Sequence, residues 1–173
     1  MGLEQTTPAA LAGFLRGLIF ITIATIAAFI LYYDVVPHVR HRPSKTQFPG
    51  PALARAVETA WVQAVPDHAL QIIAGPIYVA GNAAFHLSQG PKSNRPHVLI
   101  DGDLRQSPWI SAEALVRDGA VLVWLDEGKG TPDLLQKFPQ AEGLNFVSLP
   151  FERAPELAPV KLGIAILRPQ PAP

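Results

Sequence analysis

No cysteine occurs in the chain, which excludes a disulfide framework and any thiolate metal site. Charge is scarce and balanced: Lys and Arg number 14, Asp and Glu 14, and the formal net charge is zero. A neutral chain gives no electrostatic case for a nucleic-acid partner. Catalytic signatures are missing too. G-x-S-x-G, H-E-x-x-H and a complete G-x-G-x-x-G are all absent, so spacing alone supplies no nucleophile with its base, no zinc helix and no dinucleotide loop. His38 and His41 have a metal-like spacing but no third ligand beside them. The expectation is therefore no catalytic residue, no metal and no cofactor.

Proline, by contrast, is abundant, at 18 of 173 residues, which implies short elements joined by stiff turns. The other surplus is one apolar run. Gly17 to Tyr33 reads GLIFITIATIAAFILYY without a charge, and Leu11 to Phe14 extend it backwards past Arg16. Thr7 reads as an N-cap with Pro8 at the first helical position, and Pro37 ends the helix near Val36. At ~1.5 Å per residue such a helix is about 43 Å long, enough to cross a ~30 Å hydrocarbon core with some tilt. Apolar side chains on every face distinguish it from an amphipathic surface helix. Tyr32 and Tyr33 suit the headgroup level. The run exceeds the ~7–15 residues of a signal-peptide core and no A-x-A-like site follows it, so an uncleaved anchor is expected.

Three segments result: a tail and transmembrane helix over 1–36, a basic proline-rich linker over 37–51, and a soluble domain over 52–173. The linker carries Arg40, Arg42 and Lys45, charges that suit anionic headgroups of a lipid bilayer. By the positive-inside rule alone they would hold the following domain in the cytoplasm.

The soluble segment has the pattern of an α/β domain. Leu53, Val57, Ala60, Trp61 and Ala64 share one face of an amphipathic helix. Strands are predicted at Leu70–Ala74, His97–Asp101, Ala120–Leu125, Phe146–Leu149 and Leu162–Leu167. Helices are predicted around Ala80–Phe85, from a Ser111 cap to Gly119, and over TPDLLQKF from Thr131. This alternation predicts a small, mainly parallel α/β sandwich, with the last two strands antiparallel at one edge. Val98, Ile100, Val121, Val123 and Trp124 are expected in adjacent central strands, with Trp109 packed and buried under the sheet edge.

Asp101 and Asp103 follow one predicted strand, and Asp126 and Glu127 another. Acids at the carboxyl ends of parallel strands border the usual ligand crevice and suit a sugar hydroxyl or a divalent cation. Capping of turns and helices is the commoner use of acids there. Gly128-Lys129-Gly130-Thr131 lacks the first glycine of a phosphate loop and reads as a turn.

Residues 72–124 carry a further signal. Ala74-Gly75 ends a strand; Ala80-Gly81-Asn82 with Ala84-Phe85 follows; then come Asp101 to Asp103, Ser107-Pro108-Trp109-Ile110, and Gly119 to Trp124. This order resembles the C-terminal extracytoplasmic region of bacterial polytopic glycosyltransferases of the dolichyl-phosphate-mannose protein mannosyltransferase and aminoarabinose transferase type (family 39). Pro76 and His86 depart from it, standing where an acid and a tyrosine are expected. The resemblance implies a periplasmic domain behind a final helix of the bacterial inner membrane. It implies a partner in a polytopic glycosyltransferase or a polyprenyl-phosphate-linked sugar, with Asn82, Asp101, Asp103 and Trp109 as substrate-binding candidates. These residues also have structural readings: Asn82 as a helix cap, Pro108-Trp109 as a helix start that fills the core. The catalytic acid of such enzymes lies in their membrane domain, so no catalytic residue carries over. The chain is thus expected to be a fragment or separate C-terminal domain of such a transferase, inactive by itself. The alternatives are a non-enzymatic membrane-anchored binding or accessory protein, and an inactive remnant.

Charge and resemblance disagree on orientation, and the resemblance prevails because a helix that follows many others need not obey the charge rule alone. A C-terminal alkaline phosphatase fusion is expected to be active and to stay in membranes through carbonate extraction. An inactive fusion would put the domain in the cytoplasm, and a shortened soluble product would mean signal cleavage.

Overall fold

The computed structural model describes residues 8–35, 47–89, 95–128, 132–151 and 156–170. The chain forms two compact units, Met1–Phe48 and Pro49–Pro173. Thr7, Val36, the linker residues 37–46 and residues 129–131, where a turn was expected, lie outside the described residues.

In the first unit, α1 spans Pro8–Ile30 and continues into a π-helical turn at Leu31–Val35. Residues 9–32 are all exposed, and the stretch Ala9–Tyr33 is long and apolar enough to cross a membrane. Its hydroxyls are satisfied internally: Thr22 Oγ1 donates to the Leu18 carbonyl at 2.9 Å and Thr25 Oγ1 to the Ile21 carbonyl at 2.8 Å. Such back-bonding keeps these two hydroxyls paired within the helix, as hydrocarbon demands. Phe29 and Tyr33 pack with ring centroids 4.4 Å apart, and Tyr32 meets Tyr33 edge-on at 5.1 Å.

The second unit is α2 (Gly50–Ala64), β1 (Ile72–Gly75), α3 (Ile77–Ser88), β2 (His97–Ile100), α4 (Ala112–Asp118), β3 (Ala120–Leu125), α5 (Asp133–Lys137), β4 (Glu142–Leu149) and β5 (Val160–Leu167). The five-stranded sheet has the order β2-β1-β3-β5-β4. β1 is parallel to both β2 and β3, and β5 is antiparallel to both β3 and β4. The expected α/β class is observed, in mixed form. The antiparallel pairing of the last two strands also holds, but β5 inserts between β3 and β4, leaving β4 at the edge.

Strand alternation gives the sheet two buried faces. Ile72, Ala74, Ala120, Leu122, Trp124, Ala165 and Leu167 form one core with Leu115 of α4, and with Leu134 and Phe138 of and after α5. Ile73, Val121, Val123 and Ile164 lie on the other face and are equally buried; α2 and α3 pack on each other and on the sheet. The Trp61 indole, 1% exposed, donates to the His68 carbonyl at 2.7 Å, tying α2 to the loop before β1.

Two expectations need correction. Val98 and Ile100 sit in an edge strand and are half-buried, because β1 takes a parallel neighbour on each side and separates β2 from β3. Trp109 does meet the edge strand, through the Val98 carbonyl, but is 53% exposed rather than buried beneath it, and Ser107–Ile110 is a run of turns, with the helix starting only after Ser111. Ser111 Oγ accepts from the Ala114 amide at 3.1 Å, as expected of an N-cap.

Gly163 pairs directly with Trp124, and a Cβ placed on it would overlap the indole. The ring is 4% exposed and has no free space to retreat into without disturbing its core. Gly163→Ala should destabilise the full chain by about 1–3 kcal/mol, read as a lower melting temperature. Adding Trp124→Leu should recover part of that loss through coupling between contacting residues. An unchanged melting temperature for Gly163→Ala would refute this packing.

Candidate functional site

Because β1, β2 and β3 are parallel, the residues after them share one edge of the sheet. Gly75 ends β1, Asp101 follows β2, and Asp126 follows β3. Pro76 begins α3 there: its carbonyl accepts from the Val79 and Ala80 amides, both at 2.9 Å. The proline found where an acid was expected is thus the residue that opens this helix.

The acids of this edge sit in turns. The Asp101 amide donates to the Gly75 carbonyl at 2.9 Å, and its carbonyl accepts from Lys137 Nζ at 2.7 Å. Its φ of 51° is the left-handed conformation that Asp tolerates better than most residues. Asp103 Oδ1 accepts from the Arg105 amide at 2.9 Å and from Arg105 Nε at 3.2 Å; Oδ2 accepts from Arg105 Nη2 at 3.1 Å and Gln106 Nε2 at 3.4 Å. These hydrogen bonds, led by the guanidinium, push the Asp103 carboxyl down to about 2. Asp126 Oδ1 accepts from the Gly128 amide at 3.1 Å, another turn lock. Among the described residues no group of three or more His, Asp or Glu is placed to hold a metal.

Asn82 lies inside α3 rather than at its start, and its Nδ2 donates to the Tyr78 carbonyl one turn back at 2.6 Å. Pro76, not Asn82, occupies the N-cap position, and it makes no side-chain cap bond. His86, found in place of a tyrosine, lies against the start of α2, where its ring fills the space a Cβ on Gly50 would need.

Trp109 lies elsewhere. Its Nε1 donates to the Val98 carbonyl at 3.1 Å, and the ring borders an open groove of about 260 Å³ with Gln71, Ile72, His97, Arg117 and Asp118. Ile72 and His97 are the first residues of β1 and β2, so this groove is at the amino ends of the strands, opposite Asp101 and Asp103. The four predicted residues therefore occupy three places: Asp101 and Asp103 together, Asn82 within a helix, and Trp109 at the groove. Sequence reasoning missed Gln71, His97 and Arg117. Parallel pairing brings Gln71 and His97 together through an amide–carbonyl bond of 2.7 Å, and no spacing motif encodes that; the adjacent Arg117-Asp118 pair just before Gly119 was the one visible signal.

Comparison with protein-family models, with curated proteins and with solved structures gave no match.

The Asp103 lock has a pH signature. Its folded pKa lies below its ordinary value of 3.8, so its contribution to stability is complete above that value and is lost as pH falls through about 2. A carboxyl-carbon NMR titration of the full chain should give a midpoint near 2 for Asp103, and Arg105→Met should move it upward. A midpoint in the ordinary range in the unmodified chain would show that the fork is not formed.

Proposed function

We propose that this chain is a single-span protein of the bacterial inner membrane whose α/β domain lies on the periplasmic side and serves a polytopic transferase of polyprenyl-phosphate-linked sugars without chemistry of its own. The observation that carries the reading is what the resemblance-bearing residues do. Gly75 passes so close to the Val123 carbonyl that no side chain fits. Asn82 bonds within its helix, Asp103 locks a turn, and Ser107 and Trp109 bond to the backbone of β2. Gly119 ends α4 with a φ of 65°, and Ala120–Trp124 form a buried central strand. The residues that carry the resemblance thus serve the domain's own scaffold, which supports a role without catalysis.

Asp103 is also poorly suited to proton transfer. A general base works best with a pKa near the working pH, and Asp103 is held at about 2. Sugar transfer from a polyprenyl phosphate further needs preorganised positive charge on the departing phosphate. At this edge Arg105 is forked onto Asp103, and Lys137 is bonded to the Asp101 carbonyl. A membrane-anchored binding module independent of any transferase is the second reading, favoured by the groove beside Trp109.

The test is transfer from a radiolabelled polyprenyl-phosphate sugar to membrane acceptors. The purified chain alone should give none, and adding it to membranes that hold a polytopic transferase but lack the chain should raise transfer. Asp101→Asn and Asp103→Asn should leave that stimulation intact if they fold. Turnover by the chain alone, lost in those variants, would establish an active site of its own. Absence of stimulation would remove the companion role.

A further inference from the structure

We propose that the groove at the amino ends of β1 and β2 binds a neutral sugar ring, with Trp109 as its stacking platform. The inference goes beyond the companion role and is tested on the chain alone, so the two can fail separately.

Trp109 is more than its structural duty needs. On the edge of β2, Ser107 Oγ accepts from the Ile100 amide at 2.9 Å and is fully buried, so a small side chain suffices to satisfy an edge group. Trp109 bonds the Val98 carbonyl and leaves over half of its surface in water. With its N–H already committed, the indole is held at the groove with over half of its surface open, and an aromatic surface there suits the C–H side of a pyranose.

The polar side of the groove suits hydroxyls rather than an ion. Arg117 Nε and Nη2 meet the two oxygens of Asp118, both at 2.7 Å. This fork holds the Asp118 carboxyl below its ordinary range despite some burial, with a smaller contribution from His68. The two charges cancel, so an anion gains little, while the planar pair retains further donor and acceptor sites. Gln71 and His97 add side chains that can donate or accept. Ile72, Ile110 and Ala114 supply an apolar lining. The volume of about 260 Å³ falls below the roughly 300–1,000 Å³ of sites that enclose a drug-sized ligand. An open site of that size admits one ring and leaves its outer hydroxyls hydrated, which favours a sugar over an apolar compound.

The three tryptophans make the groove directly readable, since Trp61 and Trp124 are 1% and 4% exposed against 53% for Trp109. Iodide quenching of the full chain in lipid nanodiscs, free of glycoside detergents, reports chiefly on Trp109. The probes are the methyl glycosides of glucose, galactose and mannose, with adenosine as an aromatic comparison. At least one glycoside should protect Trp109 from quenching. Arg117→Ala, which leaves Trp109 and its backbone bond in place, should raise the half-protecting concentration about tenfold or more, the equivalent of roughly 1.4 kcal/mol. Trp109→Phe, followed by saturation-transfer NMR and checked for folding by circular dichroism, should weaken binding likewise. The proposal is overturned if no glycoside protects up to roughly 100 mM, where even a Kd well above ~1 mM registers. It is equally overturned if adenosine alone protects, or if Arg117→Ala leaves the midpoint unchanged.

Discussion

Among the described residues no strand pairs with the outer edge of β2, and satisfying its backbone is the constraint from which both ends of the domain follow. A sheet edge left open is a template for unwanted pairing and, where buried, leaves costly unpaired groups. The chain folds residues 103–110 back over this edge, placing the Ser107 hydroxyl on the Ile100 amide and the Trp109 indole on the Val98 carbonyl. The first bond pins the Asp101–Gln106 turn at the carboxyl end of the strand. The second carries the chain toward the amino end and sets Trp109 beside Arg117 and His97. One loop thus builds the acidic turn and the groove together.

The opposite edge is handled differently. β4 carries exposed Leu144 and Phe146 and, among the described residues, pairs with β5 alone. Its register shifts between Glu142 and Asn145, where Gly143 adopts a φ of 66°. A bulge of this kind bends the strand and spoils its regularity as a pairing template. Arg168 reaches from the end of β5 to Glu142 at 3.1 Å and to the Ala64 carbonyl at 2.6 Å, tying the bulged end of β4 to the end of α2. One edge is covered and the other is bent.

Much of the architecture was legible because its signals are local. AVLVWL is apolar throughout and is a central strand buried on both faces; Ser111 and Gly119 bracket α4 as cap and stop; the apolar run is a helix exposed on all sides. The errors arose where long-range pairing decides. Val98 and Ile100 have the same β-branched character as Val121 and Val123, and composition cannot say which strand lies at the edge. The start of β4 was missed because Gly143 and the bulge break its alternation. Trp109 was expected buried under the sheet edge, but an indole has a polar handle as well as an apolar body, and bonding that handle to the edge carbonyl of Val98 leaves over half of the residue exposed. Asp101 and Asp103 were recognised as a pair in a turn, while Trp109 proved to lie at the other end of the strand.

The acids at the carboxyl edge show why position in an α/β sheet does not by itself make a site. Topology gathers Asp101, Asp103 and Asp126 at the place where ligands commonly bind, yet a carboxylate can act only with the lone pairs and the pKa that its neighbours leave it. Both oxygens of Asp103 are taken up by Arg105, with Gln106 adding a longer bond, and its affinity for a proton is reduced accordingly. The Arg117–Asp118 fork is held in the same way but borders a groove with an exposed aromatic face. Two similar ion pairs at opposite ends of the sheet thus differ in what they can do. The first closes a turn against its own backbone, whereas the second stands where a ligand can share it.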